Sequence, residues 1–138
     1  MKQKYFKVGL KSVDTVAKNI IEMFPKGAVI GLSGELGSGK TTLVRSVIHL
    51  LSQSQGIKIG RIVSPSFVLH QSYEQLKPAV HHFDLYRMNQ VTEKTKNESG
   101  FMFVEWPEMC TDLSVLRLDS QIEITILDSV RQYCVQTK

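Results

Sequence analysis

The chain has 138 residues, of which 42% are hydrophobic and 22% charged, with a net charge of +4 and two cysteines. This composition excludes a disordered chain and calls for a globular fold. The length suits one domain, 1–138, whose core removes about two-thirds of the unfolded surface from water. Cys110 and Cys134 lie far apart and form no C-x-x-C, so reduced thiols are expected, with a disulfide left open. No apolar h-region follows the first residues and no stretch is long enough to cross a bilayer, so a cytoplasmic protein with no membrane partner is expected.

In chain order, Tyr5–Gly9 reads as an edge strand. Val13, Val16, Ala17, Ile20, Ile21 and Phe24 then mark one helical face, with Ser12 at the N-cap. Lys2, Lys4, Lys7, Lys11, Lys18 and Lys26 face only Asp14 and Glu22 in this part of the chain. They form either a solvated basic face or a docking surface for RNA or an acidic partner. Pro25-Lys26-Gly27 stops the helix and turns into Ala28–Ser33, a short apolar run expected to be a buried strand.

Gly34-Glu35-Leu36-Gly37-Ser38-Gly39-Lys40-Thr41 follows and matches G-x-x-x-x-G-K-[ST] at every fixed position. Glycines let the backbone wrap closely around anionic oxygens. The exposed N–H groups make a concave anion site, reinforced by the positive end of the next helix. Lys40 would reach the β- and γ-phosphates, and the Thr41 hydroxyl would hold Mg²⁺. Leu43, Val44, Val47, Ile48 and Leu51 recur at helical spacing behind it, so strand, loop and helix come in the required order.

Ser52–Gly60 is polar and glycine-punctuated and reads as a loop. Arg61–Val63 reads as a short strand leading into Ser64-Pro65-Ser66-Phe67, and Val68–Tyr73 as extended chain. Glu74–Pro78 reads as a turn, and Ala79–Leu85 as a strand that delivers Asp84 at its end. Val91–Gly100 has no period, a loop or frayed helix. Phe101–Val104 is an apolar strand ending at Glu105-Trp106-Pro107. Ile122, Ile124 and Ile126 alternate with polar residues, Asp128-Ser129 turns the chain, and Gln132–Gln136 pairs back as a hairpin. The fold class is therefore α/β, a mostly parallel central sheet with flanking helices and antiparallel edge strands.

A nucleoside triphosphatase also needs a metal-side carboxylate, a group that orients water and a sensor of the γ-phosphate. Strand C-termini converge on the ligand crevice of a parallel sheet, which gathers Asp84 and Glu105 beside the glycine loop. Asp84 is the metal-side carboxylate or, alternatively, a turn-forming aspartate. Glu105 holds Mg²⁺ through water or orients the attacking water, the alternative being a surface glutamate. Trp106 is a packing residue or stacks beside a purine. Ser66 offers a hydroxyl to phosphate or water. Adjacent strand residues point to opposite faces, which argues against His81 and His82 as metal ligands.

The glycine loop through Thr42, Ser64-Pro65-Ser66-Phe67, His82-Phe83-Asp84-Leu85-Tyr86-Arg87 and Glu105-Trp106-Pro107-Glu108 together resemble the TsaE (YjeE-type) family, along most of the chain. The resemblance implies a P-loop fold and hydrolysis of ATP to ADP and phosphate. It implies a supporting role in bacterial threonylcarbamoyladenosine formation at adenosine 37 of tRNA. The implied partners are two sugar-kinase-fold proteins, TsaD-like and TsaB-like, with tRNA met only through that complex. It makes Thr41 and Glu105 Mg²⁺ ligands with Asp84 beside them, and gives the phosphates to Leu36, Gly37, Ser38, Gly39, Lys40, Thr41 and Thr42. Ser12, Thr15 and Arg131 would border the adenine. Serine stands at position 66 where the family usually has threonine, and the segment between Arg87 and Glu105 is several residues shorter than usual. The rival readings are a small P-loop kinase with Arg87 or Arg131 as clamp, a GTPase, and a non-catalytic nucleotide-dependent interaction module. The chain shows neither an arginine-bearing lid nor an N-K-x-D block.

Overall fold

The computed structural model describes residues 2–9, 12–35, 37–60, 62, 70–85, 99–110 and 117–137. Among the described residues the sheet has seven strands: β1 (Lys2–Val8), β2 (Val29–Gly34), β3 (His70–Tyr73), β4 (Val80–Asp84), β5 (Phe101–Glu105), β6 (Ser120–Leu127) and β7 (Val130–Thr137). Their order is β1-β7-β6-β2-β5-β4-β3. The four central strands β6, β2, β5 and β4 are parallel, while β3, β7 and β1 pair antiparallel at the two sides. This is the mostly parallel sheet with antiparallel edges that the strand pattern predicts.

Alternation along each strand sorts the side chains onto two faces. Ile30, Leu32, Val80, Phe101, Phe103, Ile122, Ile124, Tyr133 and Val135 join one buried cluster. Against it pack α1 (Val13–Met23) and α2 (Lys40–Gln55) through the stripes Val13, Val16, Ala17, Ile20 and Leu43, Val44, Val47, Ile48, Leu51. A hydrogen bond from the Ser46 hydroxyl to the Asp14 carboxylate ties the two helices together. Phe83, Leu85, Met102, Val104 and Cys110 form a smaller cluster on the other face. Among the described residues both helices lie on the first face.

Some boundaries differ from expectation. Ser52–Gln55 is the last turn of α2, not loop. The Ser52 and Ser54 hydroxyls donate to carbonyls three residues back, which compensates for their weak helix preference. Gly56, left-handed at φ 64°, ends the helix, and the Ile57 N–H closes it by donating to the Ser52 carbonyl. Ser12 sits at the N-cap of α1, but its hydroxyl makes no cap hydrogen bond. Ile62 is not in a strand, and the rest of the 61–63 expectation, with positions 68–69 and 91–98, lies outside the described residues. The Asp128-Ser129 turn and the β6–β7 hairpin are as read, with β7 three residues longer.

Candidate functional site

β2 ends at Gly34 and α2 begins at Lys40, so the glycine loop spans the C-terminal end of a central strand and the start of a 16-residue helix. Thr41 and Thr42 are half-buried in the first turn of that helix. The amides of Lys40, Thr41 and Thr42 precede the first intrahelical bond, Leu43 N–H to the Gly39 carbonyl at 3.0 Å. This turn carries no acidic residue and instead holds a lysine. Helix dipole and ammonium group therefore add, leaving a positive pole that favours an anion.

The loop is shaped by contact as well as by charge. Gly39 has φ 117°, and a Cβ there would come within 2.6 Å of the Tyr133 hydroxyl. A Cβ on Gly34 would come within 2.6 Å of the Ser38 hydroxyl and 2.8 Å of the Ile124 carbonyl. Gly37, at φ 76°, faces open space. Ser38 is 1% exposed and, among the described residues, its Oγ has no hydrogen-bond partner. A buried hydroxyl without a partner costs about 1–3 kcal/mol, so this loop keeps a donor in reserve. Leu36 lies outside the described residues.

Lys40 is 5% exposed. Its ammonium donates to the carbonyls of Gly34 (2.5 Å) and Glu35 (3.1 Å) and sits 4.2 Å above the centre of the Trp106 ring. Burial pushes this ammonium below its ordinary range, while the carboxylates of Glu105, Glu108 and Asp84 pull the other way. Three acidic side chains thus converge on one buried cation.

β4 and β5 supply two of them. Asp84 and Glu105 are register partners at the ends of these adjacent parallel strands. Both are buried, at 5% and 6% exposure. The Thr41 hydroxyl donates to Glu105 Oε2 at 3.0 Å. Thr41, Asp84 and Glu105, the three expected metal ligands, are thus brought to one place. They offer hard oxygen atoms of the kind Mg²⁺ takes alongside substrate phosphates. Among the described residues no group of three or more His, Cys, Asp or Glu side chains stands ready to hold a metal ion alone. A site that borrows its remaining ligands from a phosphate tail fits that arrangement.

After Glu105 the chain enters a 3₁₀ turn, Pro107–Met109, through Trp106 in a left-handed conformation (φ 62°, ψ 51°). Such a φ is rare for a bulky residue. The Trp106 N–H donates to the Leu32 carbonyl and its own carbonyl accepts from Met109. The ring consequently lies over Lys40.

The adenine-side expectations are less closely joined. Ser12 and Thr15 are exposed at the start of α1. Arg131 is half-buried on β7, in register with Val8 of β1 and Ile126 of β6. Its Nε is buried without a partner among the described residues. Two residues on, Tyr133 places its hydroxyl 3.5 Å from the Gly39 carbonyl. Burial pushes the Tyr133 phenol above its ordinary range, and the Arg131 guanidinium pulls it back. Ser66, Tyr86 and Arg87 lie outside the described residues.

The sequence reading missed three contributors. Tyr133 buttresses the loop at Gly39. Gln121 donates to the Ser33 hydroxyl, which donates to Glu108 and so pins the Trp106 turn to β2. His82 lies 2.5 Å from Glu105 Oε2. Strand period was the available signal for His82, since it shares a face with Asp84.

Known proteins resemble this chain throughout. The profile of the family described as Threonylcarbamoyl adenosine biosynthesis protein TsaE matches residues 9–133. The tRNA threonylcarbamoyladenosine biosynthesis protein TsaE of Synechocystis is 33% identical over 120 residues, covering 80% of this chain and 73% of the relative. Its counterpart from Aquifex aeolicus is 32% identical over 113 residues, covering 82% and 79%. The crystal structure of Bacillus subtilis YdiB superposes with a TM-score of 0.73 at 26% identity, covering 99% of this chain and 86% of that one.

Proposed function

The chain belongs to the TsaE family, and we propose that it is the ATP-binding and ATP-hydrolysing subunit of the machinery that forms N6-threonylcarbamoyladenosine at adenosine 37 of tRNA. In this reading it works with TsaD-like and TsaB-like sugar-kinase-fold proteins in the cytoplasm and meets tRNA through them. The whole chain acts as one P-loop domain. The observation that carries the reading is the convergence of the Lys40 ammonium, the Thr41–Glu105 hydrogen bond and the Asp84 carboxylate on the mouth of the glycine loop.

The amides from Gly37 to Thr42 and the Lys40 ammonium bind the phosphate tail, and the Ser38 hydroxyl gains the acceptor it lacks. To reach phosphate, Lys40 exchanges the Gly34 and Glu35 carbonyls for anionic oxygens, a stronger charge-assisted contact. Thr41, Glu105 and Asp84 would hold Mg²⁺, which offsets the charge that builds on the phosphoryl oxygens. Glu105 additionally orients the attacking water, and Ser66 senses the γ-phosphate. Arg131, with Ser12 and Thr15, borders the nucleoside end, while the Trp106 ring lies over Lys40 at the phosphate end.

Hydrolysis is expected to be slow in the isolated subunit, because a small domain whose helices, among the described residues, lie on one face has little means of excluding water from the phosphates. Partner binding supplies the missing cover. The test is mass spectrometry of tRNA nucleosides after depletion of this protein, paired with ATP turnover with and without the sugar-kinase-fold partners. Threonylcarbamoyladenosine should fall and turnover should rise on partner addition. Undiminished modification in depleted cells would defeat the pathway role, and equal turnover would make the enzyme autonomous.

A further inference from the structure

His82 stands in the middle of β4 at 1% exposure, with Phe103 of β5 as its register partner and Val80 on the same face. An imidazole there has given up water, so its polar atoms need partners inside the protein. Its Nε2 lies 2.5 Å from Glu105 Oε2. The same oxygen accepts the Thr41 hydroxyl at 3.0 Å. Two donors, one from the strand beside β5 and one from α2, thus engage Oε2, and neither engages Oε1.

We propose that His82 is a positioning residue for Glu105. Its Nε2–H fixes the carboxylate in one rotamer, so that Oε1 faces the phosphate tail and its cation before either arrives. A free glutamate side chain has several rotamers, and selecting one at the moment of binding weakens the complex. Holding it from the strand next door moves that cost into folding. Metal-binding carboxylates are commonly oriented by such outer hydrogen bonds. Of the two donors, Thr41 is itself a proposed metal ligand, which leaves His82 as the donor supplied by the neighbouring strand. The strand period supplies the placement: residues 82 and 84 share a face, one to orient the glutamate and one to stand beside it.

This role rests on the Mg²⁺–ATP reading above, and its test separates the two. Full-length wild type, His82→Gln and His82→Leu are titrated with ATP in a calorimeter, first with chelator and then across a Mg²⁺ series. Glutamine keeps an N–H donor near the Nε2 position, while leucine fills the space without one. His82→Leu should bind ATP in chelator within about threefold of wild type, yet require about tenfold to a hundredfold more Mg²⁺ for the cation-dependent gain. In turnover, kcat should fall with little change in the KM for ATP, and His82→Gln should recover most of both losses.

A separate measurement uses nucleotide-free wild type alone. Nitrogen-15 spectra of the imidazole should show Nε2 carrying a hydrogen-bonded proton, and Glu105→Gln should shift that signal. A wild-type Mg²⁺ midpoint in His82→Leu, or no recovery in a folded His82→Gln, overturns the positioning role. So does an Nε2 signal indifferent to Glu105→Gln. If wild type itself binds no ATP at any Mg²⁺ concentration, the nucleotide reading falls and this role falls with it.

Discussion

The hydroxyl of Thr41, one residue into α2, donates to the carboxylate of Glu105, the last residue of β5, across 3.0 Å. Residues 64 apart in sequence thereby close the mouth of the glycine loop. Replacing Glu105 by Gln keeps the shape and the acceptor but removes a charge from beside Lys40. ATP affinity should stay within about tenfold while turnover falls on the order of a hundredfold or more, as for loss of a group that orients water. Calorimetry and phosphate release check the two halves separately. Unchanged turnover would remove Glu105 from the chemistry.

Gly39 and Tyr133 are coupled through space that only a hydrogen can occupy. An alanine at 39 meets two obstacles: a left-handed φ of 117° and a Tyr133 hydroxyl 2.6 Å from its Cβ. The dihedral strain alone is of order 1–3 kcal/mol. Tyr133→Phe removes the hydroxyl and so relieves the contact but not the strain. Gly39→Ala should therefore destabilise the protein strongly, and the double variant should recover part of that loss, with a coupling of about 1 kcal/mol. Denaturant unfolding of the four proteins in the cycle gives the number. Strict additivity would mean that the loop moves freely away from β7.

Much of this architecture could be read from the chain because its signals are local. The glycine pattern, the apolar stripes of α1 and α2 and the alternating Ile122, Ile124 and Ile126 each declare one element. Asp84 and Glu105 could be placed together because both end apolar strands, and parallel strands end on the same side. What escaped depends on which strands become neighbours. That β4 lies beside β5 brings His82 to Glu105, and that β7 lies between β1 and β6 brings Tyr133 near Gly39 and Arg131 beside Val8. No spacing in the sequence encodes that order. The last turn of α2 escaped for a different reason, because its polar serines and glutamines continue no apolar stripe and the helix is ended by Gly56, beyond them.

Lys40 ties stability to pH in a direction that can be worked out. Burial lowers its folded-state value below the ordinary 10.5. Between those two values the unfolded chain binds more of this proton than the folded one, so stability rises with pH. The contribution is greatest above 10.5 and is lost as pH falls through the lowered folded value. Tyr133, pushed above its ordinary 10.0, acts oppositely in the alkaline range, favouring the fold below that value and losing its contribution above it. Comparing wild type with Lys40→Met cancels the tyrosine. The stability difference should move in favour of wild type as pH rises from the lowered folded value toward the ordinary 10.5. A difference that is flat or moves the other way would mean that the carbonyl and carboxylate contacts outweigh the burial.

Trp106 is the only tryptophan in the chain, and its ring lies 4.2 Å from the Lys40 ammonium. A cation over an indole is worth about 0.5–2 kcal/mol and perturbs the ring's electrons. If phosphate draws Lys40 away, emission should change and saturate with ATP. In nucleotide-free Lys40→Met the emission should already differ from wild type, and further ATP should alter it little. A wild-type protein that binds ATP calorimetrically with no change in emission would show that Lys40 keeps its place over Trp106.

Ser38 offers the sharpest separation of folding from binding. Its hydroxyl is buried, without a partner among the described residues, and sits inside the loop that would surround the phosphates. Deleting a buried polar atom that makes no hydrogen bond removes a desolvation cost of about 1–3 kcal/mol and no compensating contact. Ser38→Ala should therefore leave the nucleotide-free protein as stable as wild type or more so. The same hydroxyl finds an acceptor only when an anion fills the loop, so the variant should bind ATP about tenfold to a hundredfold more weakly, the loss of one hydrogen bond to a charged group. Thermal unfolding without nucleotide and calorimetric titration with it read the two effects independently. A variant that loses stability would mean the hydroxyl already has a partner in the empty loop, and one that loses neither stability nor affinity would mean the phosphates lie elsewhere.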